Sequence, residues 1–278
     1  MALLGRNRIG LSTQLGRLKR NAKLKRRFVA LLSEFFKKPL RTVRNYVRTP
    51  FYCGNARFCP VCGKSSSRFR QFGLVPREDA QCVHCGALER HRLFWLYVMK
   101  KTDLFDGRPK KVLHVAPEFC LESRLRKCLG DNYITADLFI SRAMVKMDIT
   151  DIKYKDQSFD VIYCSHVLEH VQDDRRALGE FHRVLKGNGW AILLVPITAE
   201  KTFEDPSIVK PRQRLKAYGQ EDHVRRYGPD YIDRLREAGF KIEVTQVNDF
   251  IAKDDAIRMG LTPASEEIYY CTKLGLRG

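Results

Sequence analysis

The chain has 278 residues, of which 44% are hydrophobic and 30% are charged, so it can bury one sizeable core and carry an accessory module. No run of about 18 uninterrupted apolar residues occurs, which argues against a transmembrane helix. The start lacks the apolar stretch of a secretory signal, which argues against export. The formal net charge is +19, and residues 1–48 contain 14 of the 51 Lys and Arg residues against one acidic residue. The excess positive charge therefore belongs mainly to the N-terminal segment.

Residues 1–50 are predicted to form a basic amphipathic helical segment. Its apolar side chains recur at helical spacing, as seen for Leu24, Phe28, Leu31, Leu32 and Phe35. Pro39 is expected to end this helix, because proline removes a backbone donor and clashes with the preceding turn. The apolar face is expected to dock on the protein's own domain, to rest on an anionic membrane surface or to lie along RNA phosphates. An organelle transit peptide is a weaker alternative.

Two C-x2-C pairs predict a zinc ribbon over residues 51–90. The four candidate ligands are Cys59, Cys62, Cys82 and Cys85, with nineteen residues between the pairs and a glycine directly after each pair. Glycine lets each turn curl so that backbone amides face the sulfurs. Four thiolates fill a tetrahedral site, so the Zn2+ would be structural. A disulfide framework and replacement of one thiolate by His84 are the alternatives, and reduced thiols indicate a cytoplasmic setting.

Residues 91–109 are predicted as a linker helix that joins the ribbon to a larger domain over residues 110–278. The aromatic residues of segment 88–99 are expected to pack in a core. Residues 106–109 are Asp-Gly-Arg-Pro, a composition typical of a turn. The chain is thus predicted to have four parts.

Five segments of the larger domain predict buried parallel strands that alternate with amphipathic helices. They cover residues 111–116, 133–137, 147–150, 159–170 and 190–196. Each contains a short apolar run bounded by polar loops. Open α/β sheets place their ligands outside the carboxyl ends of such strands, so the polar residues there are candidates for a binding site.

Over about residues 110–273 these segments resemble the class I S-adenosylmethionine-dependent methyltransferases, in particular the group of small enzymes called type 11. The resemblance implies an α/β, Rossmann-like fold with a seven-stranded sheet, helices on both faces and an antiparallel last strand over residues 267–273. It also implies S-adenosyl-L-methionine as the cofactor, lying across the carboxyl ends of the first strands.

The resemblance assigns cofactor contacts to residues at the ends of the second and third strands. Asp137 matches the acidic residue that holds both ribose hydroxyls, since a carboxylate accepts two hydrogen bonds from a diol, and Leu138 follows it. Asp148 matches the acidic residue beside the adenine amino group, with Ile149 next to it. An ordinary solvated loop aspartate is the alternative for Asp148.

The first loop, residues 114–120, departs from the family pattern. Most members have an acidic residue and three glycines there, whereas this loop contains no glycine. His114, Ala116 and Glu118 are its predicted cofactor contacts, and Glu118 is expected to supply the missing carboxylate to the methionine ammonium. Ala116 and the proline after it must form a sharp turn with fewer conformations than glycine allows. A loop that no longer binds cofactor is the alternative.

Two histidines are the candidate catalytic residues. Ser165, a predicted cofactor contact, and His166 match the end of the fourth strand, where cofactor and acceptor meet in this family. His223 lies in a polar segment after the fifth strand that is similar to the acceptor lid of related enzymes. A neutral imidazole suits proton abstraction from an acceptor hydroxyl. The alternative is that Asp222 and His223 only hold the lid in place.

Three hypotheses of function follow from these patterns. The leading one is methylation of a small molecule or a glycan-type acceptor at a hydroxyl, by a cytoplasmic enzyme that is peripheral at the membrane if residues 1–48 bind it. The second is an rRNA-type RNA methyltransferase, supported by the ribbon, by residues 1–48 and by the basic cluster Arg90, His91 and Arg92. Against it, the chain lacks the N/D-P-P-Y/F motif of base-amino methylation. The third is a catalytically silent zinc-ribbon scaffold that binds a partner.

Overall fold

The computed structural model describes residues 49–73, 75–139, 143–261 and 267–273. Residues 54–278 form one compact unit. Residues 1–53 form a second unit, of which only residues 49–53 are described, including a 3-10 turn over Thr49–Tyr52. The predicted basic helix therefore lies outside the described residues. Within the described ranges, no helix is both long and apolar enough to cross a membrane.

Two small antiparallel hairpins begin the larger unit, in the region where the sequence predicts a ribbon. The first pairs β1 (Arg57–Cys59) with β2 (Lys64–Ser66). The second pairs β3 (Arg70–Phe72) with β4 (Arg77–Gln81). Each hairpin carries one of the cysteine pairs at or directly after a strand end, so the strands bring the four sulfurs into one region.

A seven-stranded sheet forms the centre of the same unit. Its strands are β5 (Val112–Val115), β6 (Tyr133–Asp137), β7 (Val145–Lys146), β8 (Phe159–Ser165), β9 (Leu185–Leu194), β12 (Phe240–Thr245) and β13 (Ile268–Lys273), and a separate short hairpin pairs β10 (Phe203–Glu204) with β11 (Arg225–Arg226). The spatial order is β12-β13-β9-β8-β5-β6-β7, and β13 runs antiparallel to both neighbours. This confirms the predicted Rossmann-like sheet with an antiparallel last strand.

The two central strands are buried because both faces of the sheet are covered. All four residues of β5 are buried, and six of the seven in β8 are buried. A continuous apolar run, rather than an alternating one, is typical of a parallel strand in this position. The third predicted strand differs from the prediction: β7 ends at Lys146, so residues 147–150 form the loop after it.

Six helices accompany the sheet in the described residues. They are α1 (Glu89–Lys101), α2 (Phe119–Leu129), α3 (Asp174–Val184), α4 (Pro211–Tyr218), α5 (Tyr231–Glu237) and α6 (Lys253–Arg258). Helix α3 illustrates how the sequence determines where a helix begins and which face it buries. Its amphipathic face buries Ala177, Leu178 and Phe181, and the Asp173 side chain caps its start by accepting from the Arg176 amide.

Helix α1, predicted as a linker, is part of the core. The Phe94 ring stacks on Tyr163 of β8 with 3.8 Å between ring centroids. Arg92 is fully buried, and its guanidinium donates to the carbonyl oxygens of Ala80, Ala87 and Gly260. These bonds join the β3–β4 hairpin, the start of α1 and a distant loop, so the hairpin packs on the domain as a fixed part of it.

The polar segment after β9 is anchored by buried ions. The Asp174 carboxylate accepts from Arg234 at 2.7 and 2.8 Å and from the Tyr227 hydroxyl at 2.6 Å. Arg225 is also buried and pairs with Glu204 at 2.8 Å. The segment predicted to form an acceptor lid is therefore held against α3 and α5 by compensating charges.

Candidate active site and four-cysteine cluster

The four predicted zinc ligands lie together. Cys59 Sγ is 3.7 Å from Cys85 Sγ, and Cys62 Sγ is 3.8 Å from Cys82 Sγ. All four sulfurs lie within 4.8 Å of one another. A tetrahedral Zn2+ with bonds of about 2.3 Å requires sulfurs about 3.8 Å apart. The cluster therefore fits a tetrahedral metal ion of that size.

The backbone of both knuckles takes the predicted turn. Gly63 and Gly86 adopt φ of +67° and +79°, a region in which glycine is favoured. Their amides donate to the carbonyl oxygens of Cys59 and Cys82. His84, the alternative ligand, instead places Nε2 3.0 Å from the Ser65 carbonyl oxygen. All nine cysteines are described and none forms a disulfide, so the disulfide alternative is wrong in this structure.

The glycine-free first loop turns at Ala116, which adopts φ +49°. This left-handed conformation is one that a glycine would take without steric cost. The Ala116 amide donates to the carbonyl oxygen of Ala136 at the end of β6, which ties the loop to the neighbouring strand. Glu118 is the N-cap residue of α2. The loop thus connects β5 to α2 without glycine, at the cost of a strained alanine.

Glu118 is the best-defined charged group of this loop. One carboxylate oxygen lies 2.7 Å from His114 Nε2, and the other lies 3.4 Å from the Tyr163 hydroxyl and 3.6 Å from His91 Nε2. Burial alone would raise the pKa of Glu118, but the hydrogen bond to His114 and the electrostatic effect of the neighbouring basic side chains outweigh it and lower the pKa to about 2. Glu118 is therefore an ionised carboxylate at neutral pH.

His114 serves Glu118 more directly than it could serve a ligand. It has no exposed surface, and its ring nitrogens lie 2.6 Å from the Tyr133 hydroxyl and 2.7 Å from Glu118. His91 is also buried, and burial lowers its pKa to about 3. These partners orient the carboxylate. His114 would therefore affect a bound cofactor indirectly, by orienting Glu118.

The predicted ribose and adenine residues lie at the carboxyl edge of β6 and β7. The Asp137 side chain accepts from the Phe139 amide at 2.8 Å, which fixes its carboxylate, and Leu138 beside it is about half exposed. Asp148 is exposed, and it accepts from the amide and hydroxyl of Thr150, which lowers its pKa. Ile149 is buried below it. Both acidic residues are thus held in set positions by local hydrogen bonds.

The end of β8 carries the second strained residue. His166, directly after Ser165, adopts φ +55°. Its Nδ1 atom lies 3.5 Å from Oε1 of Glu169, in the 3-10 turn that follows. Non-glycine residues in this conformation are uncommon and concentrate at functional sites. Ala116 and His166 stand at the carboxyl ends of two adjacent parallel strands, β5 and β8.

His223 lies against the same turn. Its ring meets the ring of His170 edge to face, with 4.6 Å between centroids. His170 also contacts Asp222, whose Oδ2 is 3.2 Å from His170 Nδ1. Burial lowers the pKa of His223, and the adjacent His170 adds to this effect. The imidazole of His223 is therefore held in the neutral form at pH 7.

A cavity of about 1560 Å³ opens beside these histidines. The two predicted catalytic residues, His166 and His223, both line it, together with Glu169 and His170. Other wall residues come from the segment after β9, from the β3–β4 hairpin and from the start of α1: Pro196, Ile197, Thr198, Phe72, Gly73, Arg77, Glu89 and Arg90. The predicted cofactor residues do not line it. The cavity opens beside the carboxyl end of β8, and the β3–β4 hairpin forms part of its wall.

Several residues of the site were not predicted. Tyr133 and Tyr163 around Glu118 and Phe72 on the cavity wall have no sequence signal, because distant segments bring them in. Glu169 and His170, three and four residues after His166, lie in one 3-10 turn and both line the cavity. The basic cluster that supported RNA binding is largely unavailable, since His91 and Arg92 are buried.

The seven-stranded sheet and its antiparallel last strand agree with the fold that the sequence resemblance implies. Residues 120–193 match the family model described as a methyltransferase domain. The chain therefore contains a segment that is similar to methyltransferase domains. No curated protein matches the chain.

Solved structures with a similar fold include three methyltransferases. One is an S-adenosylmethionine-dependent methyltransferase from Mesorhizobium loti, 16% identical, with 64% of this chain and 96% of that chain covered and a TM-score of 0.44. Another is the Burkholderia thailandensis 1,6-didemethyltoxoflavin-N1-methyltransferase, 14% identical, with 62% and 74% covered and a TM-score of 0.42. A third is the Haloferax volcanii complex of the Trm112 methyltransferase activator with a methyltransferase, 14% identical, with 60% and 83% covered and a TM-score of 0.38.

Proposed function

We propose that this enzyme methylates a hydroxyl of a small molecule or a glycan-type acceptor that binds in the 1560 Å³ cavity. The observation that carries the proposal is the position of this cavity. It opens at the end of β8 and has both candidate catalytic histidines on its wall. An acceptor there would meet the carboxyl edge of the sheet, which is where open α/β sheets place their ligands.

The cofactor is proposed to lie across the ends of β5, β6 and β7. Asp137 would accept hydrogen bonds from the ribose hydroxyls, and Asp148 would lie beside the adenine. Glu118 would face the methionine ammonium, and its ionised state at neutral pH supports this role. Bound S-adenosyl-L-methionine would supply an electrophilic methyl group. The protein's main task would then be to orient the acceptor oxygen in line with that group.

His166 is proposed to accept the proton of the acceptor hydroxyl. Glu169 would orient its imidazole through the 3.5 Å contact to Nδ1, in the manner of a carboxylate that holds a catalytic base. The strained backbone of His166 supports a functional reason for its position. His223 lines the same wall and lies beside Glu169 and His170.

The four-cysteine cluster is proposed to hold one structural Zn2+. The support is the match between the observed sulfur separations of 3.7 and 3.8 Å and those that tetrahedral zinc requires. A filled site would fix the β3–β4 hairpin, which forms part of the cavity wall. Zinc would then support the acceptor site through the fold and take no part in the chemistry.

Calorimetry with S-adenosyl-L-methionine tests the proposal. Wild-type protein should bind, and Asp137→Ala should weaken binding at least about ten-fold, because the ribose would lose two charge-assisted hydrogen bonds. Asp131→Ala, an exposed residue before β6, is the matched control and should bind normally. Absence of binding by the wild type would favour the silent scaffold. Methyl incorporation into ribosomal RNA by the wild type, lost in His166→Gln, would overturn the proposed acceptor class in favour of RNA.

A further inference from the structure

We propose that Glu169, His170 and His223 form a divalent transition-metal site on the wall of the acceptor cavity, separate from the four-cysteine cluster. One ligand atom from each residue lies within 4.8 Å of the other two. All three residues line the cavity. Metal binding at this site does not depend on methyl transfer, so the proposal goes beyond the proposed function.

The two histidines are held by their neighbours. A ligating imidazole commonly donates its second N–H to a carboxylate or a backbone carbonyl, which fixes the tautomer and the ring orientation. His170 has Asp222 Oδ2 at 3.2 Å from Nδ1, which leaves Nε2 as its ligand atom. His223 is buried, and its ring packs edge to face on the ring of His170.

The third donor is a carboxylate oxygen that lacks a partner. The Glu169 side chain is only 2% exposed. Its Oε1 atom faces His166, whereas Oε2 has no hydrogen-bond partner among the described residues. A buried carboxylate oxygen without a partner costs free energy, because it has lost its contacts with water. A bound cation would satisfy this oxygen.

The donor set selects a class of ion. Two imidazole nitrogens and one carboxylate oxygen suit borderline ions such as Zn2+, Co2+, Fe2+ and Mn2+. With bonds of about 2.1 Å, ligand atoms lie about 3.4 Å apart in a tetrahedral site. Because the three ligand atoms lie within 4.8 Å of one another, they would close by no more than about 1.4 Å on binding. His170 is a third exposed and can make this movement.

Three protein ligands leave at least one coordination position open. Because all three residues line the cavity, this position would be accessible from it. An acceptor oxygen in this position would be oriented by the ion, and its hydroxyl would lose a proton more readily. The guanidinium of Arg225, also on the wall, is compensated by Glu204 at 2.8 Å and Asp174 at 3.7 Å. The charge of a divalent ion is therefore tolerated there.

The test is a titration of the full-length protein, containing one zinc per chain, with Co2+. The wild type should bind one equivalent of Co2+ without the sulfur-to-cobalt charge-transfer band that thiolate ligands produce. His170→Gln, His223→Gln and Glu169→Gln should each weaken binding at least about ten-fold, and Asp222→Asn should do so by about ten-fold through its effect on His170. His182→Gln, a histidine on α3 outside the cavity, should bind as the wild type does.

Two further measurements distinguish the loss of the metal site from a general loss of folding or of cofactor binding. Circular dichroism should show that the variants are folded, and calorimetry should show that His170→Gln, a partly exposed position, still binds S-adenosyl-L-methionine. The proposal fails if the wild type takes up Co2+ only with the sulfur band, or if the glutamine variants bind Co2+ as tightly as the wild type. Loss of cofactor binding in the wild type would contradict the proposed function instead, and would leave the Co2+ result unaffected.

Discussion

His114 Nε2 lies 2.7 Å from a carboxylate oxygen of Glu118, across the loop that joins β5 to α2. The Tyr133 hydroxyl lies 2.6 Å from the other ring nitrogen, so the imidazole is held between two strands and the start of a helix. A loop without glycine thus carries an ionised, oriented carboxylate at the carboxyl edge of the sheet. We propose that this carboxylate replaces the acidic residue that the usual family pattern has at the preceding strand end.

Glu118→Gln is expected to weaken the binding of S-adenosyl-L-methionine by about 10- to 100-fold, because a charge-assisted hydrogen bond to an ammonium contributes about 1.5–3 kcal/mol. Isothermal titration calorimetry at pH 7 measures the change. Glu122→Gln, on the next turn of α2 and paired with Arg126, is the control and should leave affinity unchanged. Equal affinities for Glu118→Gln and the wild type would show that this carboxylate does not face the cofactor.

The same carboxylate predicts a pH dependence of stability. The pKa of Glu118 is about 2, against an ordinary value of 4.5. Its charge therefore stabilises the fold fully above about pH 4.5, and this contribution is lost as the pH falls towards 2. Between pH 6 and pH 3 the free energy of unfolding of the wild type should fall by about 2 kcal/mol relative to that of Glu118→Gln. Urea unfolding between pH 6 and 3 measures the difference, and a difference independent of pH would contradict it.

The strands and the ends of the strands could be predicted from the sequence because each depends on a local pattern. A buried parallel strand is a continuous apolar run, and Asp137 is the last residue of such a strand, β6. The four-cysteine cluster could be predicted for the same reason, because the spacing of the two C-x2-C pairs along the chain is enough to indicate a metal site. The sequence indicates that Ala116 must turn sharply without the freedom of glycine, and Ala116 does so in the left-handed conformation.

The surroundings of Glu118 could not be predicted because they depend on tertiary packing. Tyr163 comes from β8, and His91 comes from the predicted linker helix, whose sequence does not show that it contacts Glu118. The cavity wall has the same origin: Phe72 and Arg77 belong to the hairpin beside the cysteine cluster. Sequence patterns show which face of an element is buried, and they do not show which other element covers it.

Ala116→Gly is expected to stabilise the fold by up to about 1 kcal/mol. Alanine at φ +49° carries a steric cost of about 1–2 kcal/mol, which exceeds the added entropy that glycine gives the unfolded chain. Ala217→Gly, inside helix α4, should instead destabilise by about 1 kcal/mol. Thermal unfolding of both variants should therefore shift in opposite directions. A decrease in the melting temperature of Ala116→Gly would show that other contacts of its methyl group outweigh the backbone strain.

Cys62→Ser is expected to remove bound zinc and to destabilise the region of the β3–β4 hairpin. A structural site with three thiolates and one hydroxyl loses much of its affinity, and the metal contributes directly to the folding free energy. Elemental analysis should find about one zinc per wild-type chain and much less in the variant, with a lower melting temperature. Cys128→Ser is the control, because Cys128 is exposed and far from the cluster in sequence. Unchanged zinc content in Cys62→Ser would rule out the proposed site.

Asp174→Asn is expected to destabilise the fold by about 3 kcal/mol. The residue is 2% exposed and accepts from Arg234 and from the Tyr227 hydroxyl, so the substitution leaves buried guanidinium charge without full compensation. Glu204 still pairs with both arginines, which limits the loss. Its neighbour Asp173 is the N-cap residue of α3, and Asp173→Asn should be nearly neutral because asparagine caps equally well. Urea unfolding measures both. Because β11 carries Arg225 two residues after His223, the buried ions also fix one wall of the acceptor cavity, and Asp174→Asn should lower activity beyond its effect on stability if that wall positions the acceptor.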